Sequence, residues 1–205
     1  MPLSQIKRAS IASGAVDTAQ LAADAVDNTI LDLTDNYGFT GTITGAGAAG
    51  YTKTAQTTTN GAATYTISSI ASGTSELILF GNQVDRGTST NTAVVRLGDS
   101  GGLEDTGYNH SVAYSYGNSF YINAVSDRTG LDFQLYDSVC NFTCHCWNTS
   151  GNKWMMRVHM HSHSGTKYWA TSMCEKELSG TLDRIGIVDR NGTNFAGGTI
   201  QLWYK

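Results

Sequence analysis

A five-residue repeat at the start of the chain restricts the possible folds more than any other feature of the sequence. Five residues advance an α-helix by about 500°, so residues at this spacing form no stripe along a helix. On a β-strand, an odd spacing sends successive residues to opposite faces. One aliphatic residue in five therefore builds no core of its own. The repeated aliphatic residues are Ile6, Ile11, Val16, Leu21, Val26 and Leu31.

The repeat needs another surface on which to bury its aliphatic row, and copies of the same repeat are the simplest choice. We therefore predict that these six residues form an oligomerisation and anchoring segment. A disordered tail rich in Ala, Asp and Thr is one alternative. A pentapeptide β-solenoid is another, but Asp24 stands where a small residue fills the inside corner. Six units also complete only about one and a half coils of a solenoid.

The rest of the sequence has the composition of an all-β protein. Among 205 residues there are 23 glycines and one proline, and 15% of residues are charged. Short strand candidates are separated by turn dipeptides such as Asn60-Gly61 and Asn191-Gly192, without a 3.6-residue period. We predict an antiparallel β-sandwich or jelly-roll head preceded by the extended N-terminal repeat. The domains are residues 1–45 as anchor and shaft, 46–60 as a Gly/Thr-rich joint, and 61–205 as the head.

Twelve strands are predicted in and before the head. They are Tyr51–Thr57, Ala62–Ser68, Glu76–Phe80, Thr92–Leu97, Tyr108–Tyr116, Ser119–Val125, Leu131–Tyr136, Val139–Trp147, Lys153–His163, Lys167–Cys174, Leu182–Val188 and Thr199–Tyr204. Alternation along a strand indicates which face is buried. Trp154, Met156, Val158 and Met160 are predicted to face the core. Glu76–Phe80 is apolar on both faces, as in a central strand or in one covered by a neighbouring subunit.

Charge and hydropathy exclude several classes of partner. The net charge of −4 gives no electrostatic basis for binding nucleic acid or an anionic membrane. We expect no membrane insertion, because no apolar run of 18 residues occurs. Gly45–Gly50 matches a dinucleotide fingerprint, but a Thr-rich segment follows it where a helix should begin. We therefore expect no cofactor. The four cysteines are expected to be thiols, as in a protein made in a reducing cytoplasm.

Three stretches resemble the tail-fibre-like virion proteins of bacteriophages, particularly marine and cyanobacterial phages. They are Ser13–Ala22 with its near-copy Ala23–Asp32, then Tyr37–Gly45, and Phe195–Tyr204 at the C-terminus. The resemblance covers about a quarter of the chain. It implies a homotrimer in the virion, assembled in the host cytoplasm. The N-terminal part would bind other virion proteins, and the β-rich head would point outward.

Three histidines at alternate positions are a possible metal site, because imidazole is the commonest metal-binding side chain. His159, His161 and His163 lie on one face of a predicted strand. Their spacing matches no structural zinc signature. In a trimer, His-x-His pairs meeting at a three-fold axis make a six-imidazole site, as in some fibre tips that this type resembles. The other interpretation, which we favour, is a polar sheet face without metal.

Catalytic motifs are weak, so we expect no enzyme. The sequence has no G-x-S-x-G elbow. Glu104 with Asp105 or Asp99, and Asp132 with Asp137, are the carboxylate pairs that glycoside cleavage would need. All of them are predicted to lie in or beside loops, where acidic residues usually face solvent.

Aromatic residues next to small polar residues point to sugar binding, because rings stack on sugar faces and polar groups bind hydroxyls. The predicted glycan-binding residues are Tyr108, Asn109, Tyr114, Tyr116 and Trp147. The alternative is that most of these aromatics belong to the core or to subunit contacts. Loops Asp99–Asn109 and Trp147–Lys153 are predicted to face the host.

These observations predict a short homotrimeric tail fibre or spike that attaches to a host surface glycan. One alternative is a capsid decoration or head-fibre protein. Another is a free carbohydrate-binding module.

Overall fold

The computed structural model describes residues 50–87, 92–116, 119–134, 139–162 and 168–205. These residues form fourteen strands and no helix, so the prediction of an all-β protein is confirmed. It follows that this part of the chain has no helix able to cross a membrane. The repeat with Ile6, Ile11, Val16, Leu21, Val26 and Leu31 lies outside the described residues.

The strands follow one another with short connections. In chain order they are β1 (Thr52–Lys53), β2 (Thr57–Thr58), β3 (Thr64–Ile67), β4 (Glu76–Asp85), β5 (Thr92–Asp99), β6 (Gly102–Leu103), β7 (Tyr108–Tyr116), β8 (Ser119–Arg128), β9 (Leu131–Gln134), β10 (Val139–Ser150), β11 (Lys153–Ser162), β12 (Tyr168–Glu177), β13 (Arg184–Asp189) and β14 (Gly197–Tyr204). Each predicted strand overlaps an observed one. The second half of the predicted joint supplies β1 and β2.

The strands form two antiparallel sheets. The larger sheet has the order β1-β14-β4-β10-β11-β12-β7-β8, and β2 also pairs with β14. The smaller sheet has the order β3-β13-β5-β6, and β9 pairs with β5. A sandwich of two sheets is therefore consistent with the predicted fold class. β4 lies between β14 and β10, which confirms that the apolar segment Glu76–Phe80 belongs to a central strand.

Alternation along the strands produces the core. In β11 the side chains of Trp154, Met156, Val158 and Met160 are buried, as predicted, and the residues between them are half-buried or exposed. In β10, Cys140, Phe142, Cys144 and Cys146 are likewise buried. The smaller sheet contributes apolar residues such as Val95, Ile185 and Ile187 to the same core. All four cysteines are buried free thiols.

β4 extends beyond its predicted end because of a close contact and a bulge. A Cβ atom at Gly81 would lie 2.0 Å from the ring of Phe142, so only glycine allows the strand to pass this ring. Asn82 and Gln83 then stand opposite the single residue Asn141 of β10, the two-against-one pattern of a β-bulge. Gln83 takes the left-handed conformation, with a φ of 50°. Its backbone N–H donates to Oδ1 of Asn141 at 2.8 Å.

A buried ion pair joins the segment after β4 to the end of β13. Nη2 of Arg86 lies 2.8 Å from Oδ2 of Asp189, and each side chain is 1% exposed. The backbone N–H groups of Asn191 and Thr193 also donate to Asp189. Removing one partner of such a pair leaves a buried charge uncompensated, so the two residues hold these segments together.

Candidate functional site

The outer face of the larger sheet carries rows of side chains that cross several strands. Pairing registers align these rows, because residues opposite one another in neighbouring strands point to the same side. One row is Gln201, Phe80, Thr143, His159, Thr171, Ala113 and Ile122. A second row is Asn141, His161, Trp169, Ser115 and Phe120. Aromatic, imidazole and amide groups are thereby brought together from strands far apart in the sequence.

Between β4 and β12 these rows form an open groove of about 500 Å³. Phe80 on β4 and Trp169 on β12 stand at its two sides. Three strand spacings separate β4 from β12, so the floor is roughly 14 Å wide. Thr143 of β10 and His159 of β11 lie between the two rings. We refer to this feature as the outer-face groove.

Both aromatic sides of the groove are supported from behind. The ring of Phe80 packs edge-on against Trp203, with 5.3 Å between ring centroids. The ring of Trp169 lies 5.8 Å from that of Phe120. Trp169 is nevertheless 43% exposed. The two rings are therefore held in place while Trp169 keeps much of its surface open to a ligand.

The bulge in β4 adds amide groups to one end of the groove. Asn82, which lines the groove, is exposed. Asn141 is fixed by its contact with the backbone of Gln83, and its amide group also lines the groove. Bulges commonly redirect side chains next to functional sites.

The structure describes two of the three histidines that are predicted as metal ligands. His159 and His161 are exposed on the outer face of β11, whereas His163 lies outside the described residues. Partial burial, followed by the charge of Arg157, lowers the pKa of His159. Across the described residues there is no group of three histidine, cysteine or acidic side chains that could hold a metal ion. A metal at His159 and His161 would thus require ligands from elsewhere.

Two of the predicted glycan-binding tyrosines are buried. Tyr108 is fully buried, and its hydroxyl accepts the backbone N–H of Leu97 at 2.9 Å. Burial accordingly raises the pKa of Tyr108. Tyr114 is 7% exposed and stacks on Tyr121, with 5.0 Å between centroids. Neither tyrosine offers a free ring face to a sugar, so the predicted glycan-binding set is corrected at these two positions.

The other predicted glycan-binding residues lie on the outer face or outside the described side chains. Trp147 is half-buried, and its ring centroid lies 4.0 Å from that of His145. Asn109 lies in the same row as Trp147, three strands away, through Met155 and Glu175. Tyr116 ends β7, but its side chain is outside the described part of the chain. Trp147 and Asn109 therefore share the outer face of the larger sheet.

The two loops predicted to face the host meet around a second cleft, of about 410 Å³. Gly107 and Asn109 line it from one loop, and Thr149 and Lys153 line it from the other. Several charged groups around this cleft are paired. Lys176 contacts Glu104, and Lys153 lies 3.7 Å from Glu177. Charged residues line this cleft, whereas the described lining of the outer-face groove has no Asp, Glu, Lys or Arg.

Asp99 and Glu104, one of the predicted carboxylate pairs, both accept hydrogen bonds from Ser179. The Ser179 hydroxyl lies 2.7 Å from Asp99 and 2.9 Å from Glu104. The hydrogen bond from Ser179 lowers the pKa of Asp99. For Glu104, desolvation alone would raise the pKa, but hydrogen bonds from Lys176 and Ser179 lower it overall. A general acid needs a raised pKa, so this pair is poorly suited to protonate a leaving group. Asp137 lies outside the described residues.

Sequence reasoning missed Phe80, Asn82, Asn141 and Thr143 as groove residues. For Asn141 and Thr143 a signal was present, because both alternate with the core cysteines of β10 and must face outward. Nothing local in the sequence places Phe80 opposite Trp169, because the two residues are brought together by the strand order.

No protein-family model, curated protein or solved structure matches the chain. Function is therefore inferred from the sequence and from the geometry of the outer face.

Proposed function

We propose that the chain is a bacteriophage virion protein, a short homotrimeric tail fibre or spike whose head attaches to a glycan on the host surface. The observation that carries the attachment role is the outer face itself. It presents Phe80 and Trp169 beside polar side chains such as Thr143 and His159 on one face of the larger sheet. Rings and hydrogen-bonding groups on a fixed scaffold are what sugar recognition requires.

The virion and trimer parts of the proposal are supported by the sequence. The five-residue repeat needs a surface to cover its aliphatic row, and three copies of the chain would supply it. A trimer also explains how shallow sites suffice, because linking three weak sites raises the apparent affinity without new contacts. Jelly-roll connectivity of the head is part of the same proposal.

A capsid decoration or head-fibre protein is the second candidate, and one observation favours it. Phe120, Ile122, Trp169 and Met173 expose 43% to 69% of their surfaces near β8, the strand at one end of the larger sheet. Exposed apolar surface of this kind is typical of a permanent contact with other proteins. A free carbohydrate-binding module would share the outer-face groove but would be a monomer.

The solution mass tests the assembly part of the proposal. Light scattering of the full chain is expected to give about 66 kDa, three times the chain mass of 21.9 kDa. A chain beginning at Gly45 is expected to dissociate or associate more weakly. Two monomeric species would contradict the trimer and favour the free module.

Attachment and decoration predict different outcomes on phage particles. If the protein attaches to the host, the purified full chain is expected to compete with phage for adsorption. If it decorates the capsid, removing it would weaken particles while adsorption stays unchanged. Binding of the full chain to a panel of neutral and acidic oligosaccharides tests the glycan part directly. Failure to bind any member of the panel, together with failure to compete, would contradict attachment.

A further inference from the structure

We infer that the outer-face groove is the glycan-binding site and that its ligand is an uncharged saccharide at least two rings long. The inference rests on the proposed attachment function and goes beyond it, because it assigns the site, the chemical class of the ligand and its length. Three features of the described groove residues carry it: the aromatic sides, a polar floor not hydrogen-bonded to other described residues, and a lining without permanently charged side chains.

The aromatic sides fit the apolar faces of sugar rings. Trp169 is 43% exposed and is held by Phe120. Phe80 on the opposite side is held by Trp203. A ring that is fixed before binding loses little conformational entropy when a sugar stacks on it. Trp169 is the larger and more exposed of the two, so it is expected to contribute most of the stacking.

The floor supplies hydrogen-bonding groups that are not used within the described protein. Thr143, His159 and Asn82 make no side-chain hydrogen bond to another described residue. A hydroxyl, a neutral imidazole and an amide can each donate and accept, which matches the hydroxyls of a sugar. Lys, Arg and the carboxylates, by contrast, would select for charge.

The lack of permanently charged side chains among the described lining residues favours a neutral ligand. Within the described residues, the lining of the groove contains no Asp, Glu, Lys or Arg. The cleft between the two loops is the opposite case, since Lys153, Glu175, Lys176 and Glu177 line it. A saccharide bearing carboxylate or sulfate would find no oppositely charged partner among the described lining residues, so its charge would not strengthen binding.

The dimensions set the length of the ligand. A floor roughly 14 Å wide, three strand spacings, exceeds one sugar ring. The volume of about 500 Å³ falls within the range of small-ligand sites. A single sugar would therefore contact only one of the two aromatic sides.

The test is a binding titration of the full chain with cellobiose, maltose, lactose and chitobiose. Calorimetry and tryptophan fluorescence measure the binding. We expect at least one of these disaccharides to bind with a Kd of about 0.1–10 mM, in the range of weak single sites. We expect the corresponding monosaccharide to bind at least about tenfold more weakly. Raising NaCl from 50 to 500 mM is expected to leave the Kd unchanged, because no charge pairing contributes.

Two groove variants and one matched control locate the site. Trp169→Ala is expected to weaken binding at least about tenfold. Thr143→Val, which keeps the shape but removes the hydroxyl, is expected to weaken it about threefold to tenfold. The control is Met173→Ala. Met173 lies on the same strand and face as Trp169 and is 46% exposed, but it does not line the groove. It is expected to leave the Kd unchanged.

The outcomes separate this inference from the proposed function. Saccharide binding that survives both groove substitutions, or that is lost in Met173→Ala, would overturn the assignment of the site and leave attachment standing. Binding of acidic saccharides alone would overturn the neutral ligand. No saturable binding of any of the four disaccharides below about 50 mM would overturn the inference, whereas attachment would fail only if adsorption competition were also absent.

Discussion

The inward-facing and outward-facing residues of β10, β11 and β12 come from the same three strands but differ in chemistry. Inward-facing Cys144, Met156 and Val158 have no exposed surface. Outward-facing His159 and Trp169 are exposed, and their neighbours are polar or half-buried. The pleat of the strands alternates the two sets, so adjacent residues in the chain belong to different environments.

Stability and ligand binding therefore depend on different sets of residues in the same sheet. Inward-facing residues are fixed by packing, so their substitution changes the free energy of unfolding. Outward-facing residues of the groove pack less, and their substitution is expected to change ligand binding instead.

Truncation of two adjacent methionines should give the largest contrast. Met156 is fully buried in β11, whereas Met155 is half-buried on the outer face. Met156→Ala is expected to lower the free energy of unfolding by about 2–5 kcal/mol, because it leaves a cavity in the core. Met155→Ala is expected to cost about 1 kcal/mol or less. Chemical denaturation at a fixed protein concentration measures both.

The result for Met155 decides whether the separation holds. Similar losses in the two variants would mean that the outer face is packed as tightly as the core. A second subunit covering Met155 would produce that result, and the effect would then depend on protein concentration.

Substitution of Gly81 should give the next largest effect. A Cβ atom there would lie 2.0 to 2.6 Å from three atoms of the Phe142 ring, on the core side of β4. Gly81→Ala is therefore expected to destabilise the protein by about 1–3 kcal/mol through overpacking. Thermal or chemical denaturation measures the loss. Phe142→Leu in the same chain is expected to recover part of it, and a loss unchanged by the second substitution would mean that the ring is not the obstacle.

Alternation in the sequence was sufficient to predict the strands and most of their faces. The core row of β11 was predicted because a period of two is a direct consequence of the extended backbone. The same period also implied that Asn141 and Thr143 point outward. Local pattern therefore specified the polar side of β11 and contained the signal for that of β10.

Other features depended on contacts that no local pattern reveals. The bulge at Asn82 and Gln83 arises where β4 passes Phe142 of a strand more than fifty residues away. Without knowledge of that ring, the predicted strand ended at Phe80. Tyr108 and Tyr114 were assigned to a glycan-binding surface because aromatic rings next to small polar residues suit sugar binding. Burial of Tyr108 depends on the distant backbone of Leu97.

Histidine titration should differ between the two sides of the sheet. His110 has a fully buried side chain, and its Nε2 lies 3.6 Å from Asp132. Desolvation lowers its pKa from 6.5, against the opposing charge of Asp132, and the charges of Arg128 and Arg190 lower it further. The unfolded chain then binds the proton at higher pH than the folded chain does. The free energy of unfolding is therefore expected to fall as the pH drops below about 6.5.

Replacement of each histidine isolates its contribution. His110→Gln is expected to flatten the pH dependence of the free energy of unfolding between about pH 7.5 and 5. His159→Gln, on the exposed face, is expected to change it less, because His159 is mostly solvated. An unaltered slope in His110→Gln would show that the buried imidazole takes up its proton without loss of stability. NMR titration of the two imidazoles provides an independent measurement.

The smallest effect is expected at the edge of the outer face, where Glu76 contacts Lys205, Tyr51 and His145. The hydrogen bond from Lys205 is the main cause that lowers the pKa of Glu76 to about 2, against partial desolvation and with help from Tyr51 and His145. Because the folded-state pKa is depressed, the stabilisation is present above about pH 4.5 and is lost as the pH falls toward 2.

Glu76→Gln is therefore expected to lower the free energy of unfolding by about 1 kcal/mol or less at pH 7, and by almost nothing near pH 2. Glu177→Gln provides the control, since Glu177 and Lys153 are 68% and 60% exposed, and it is expected to have no measurable effect at either pH. Equal losses in the two variants would mean that the Glu76 cluster stabilises the outer face no more than an ordinary surface ion pair.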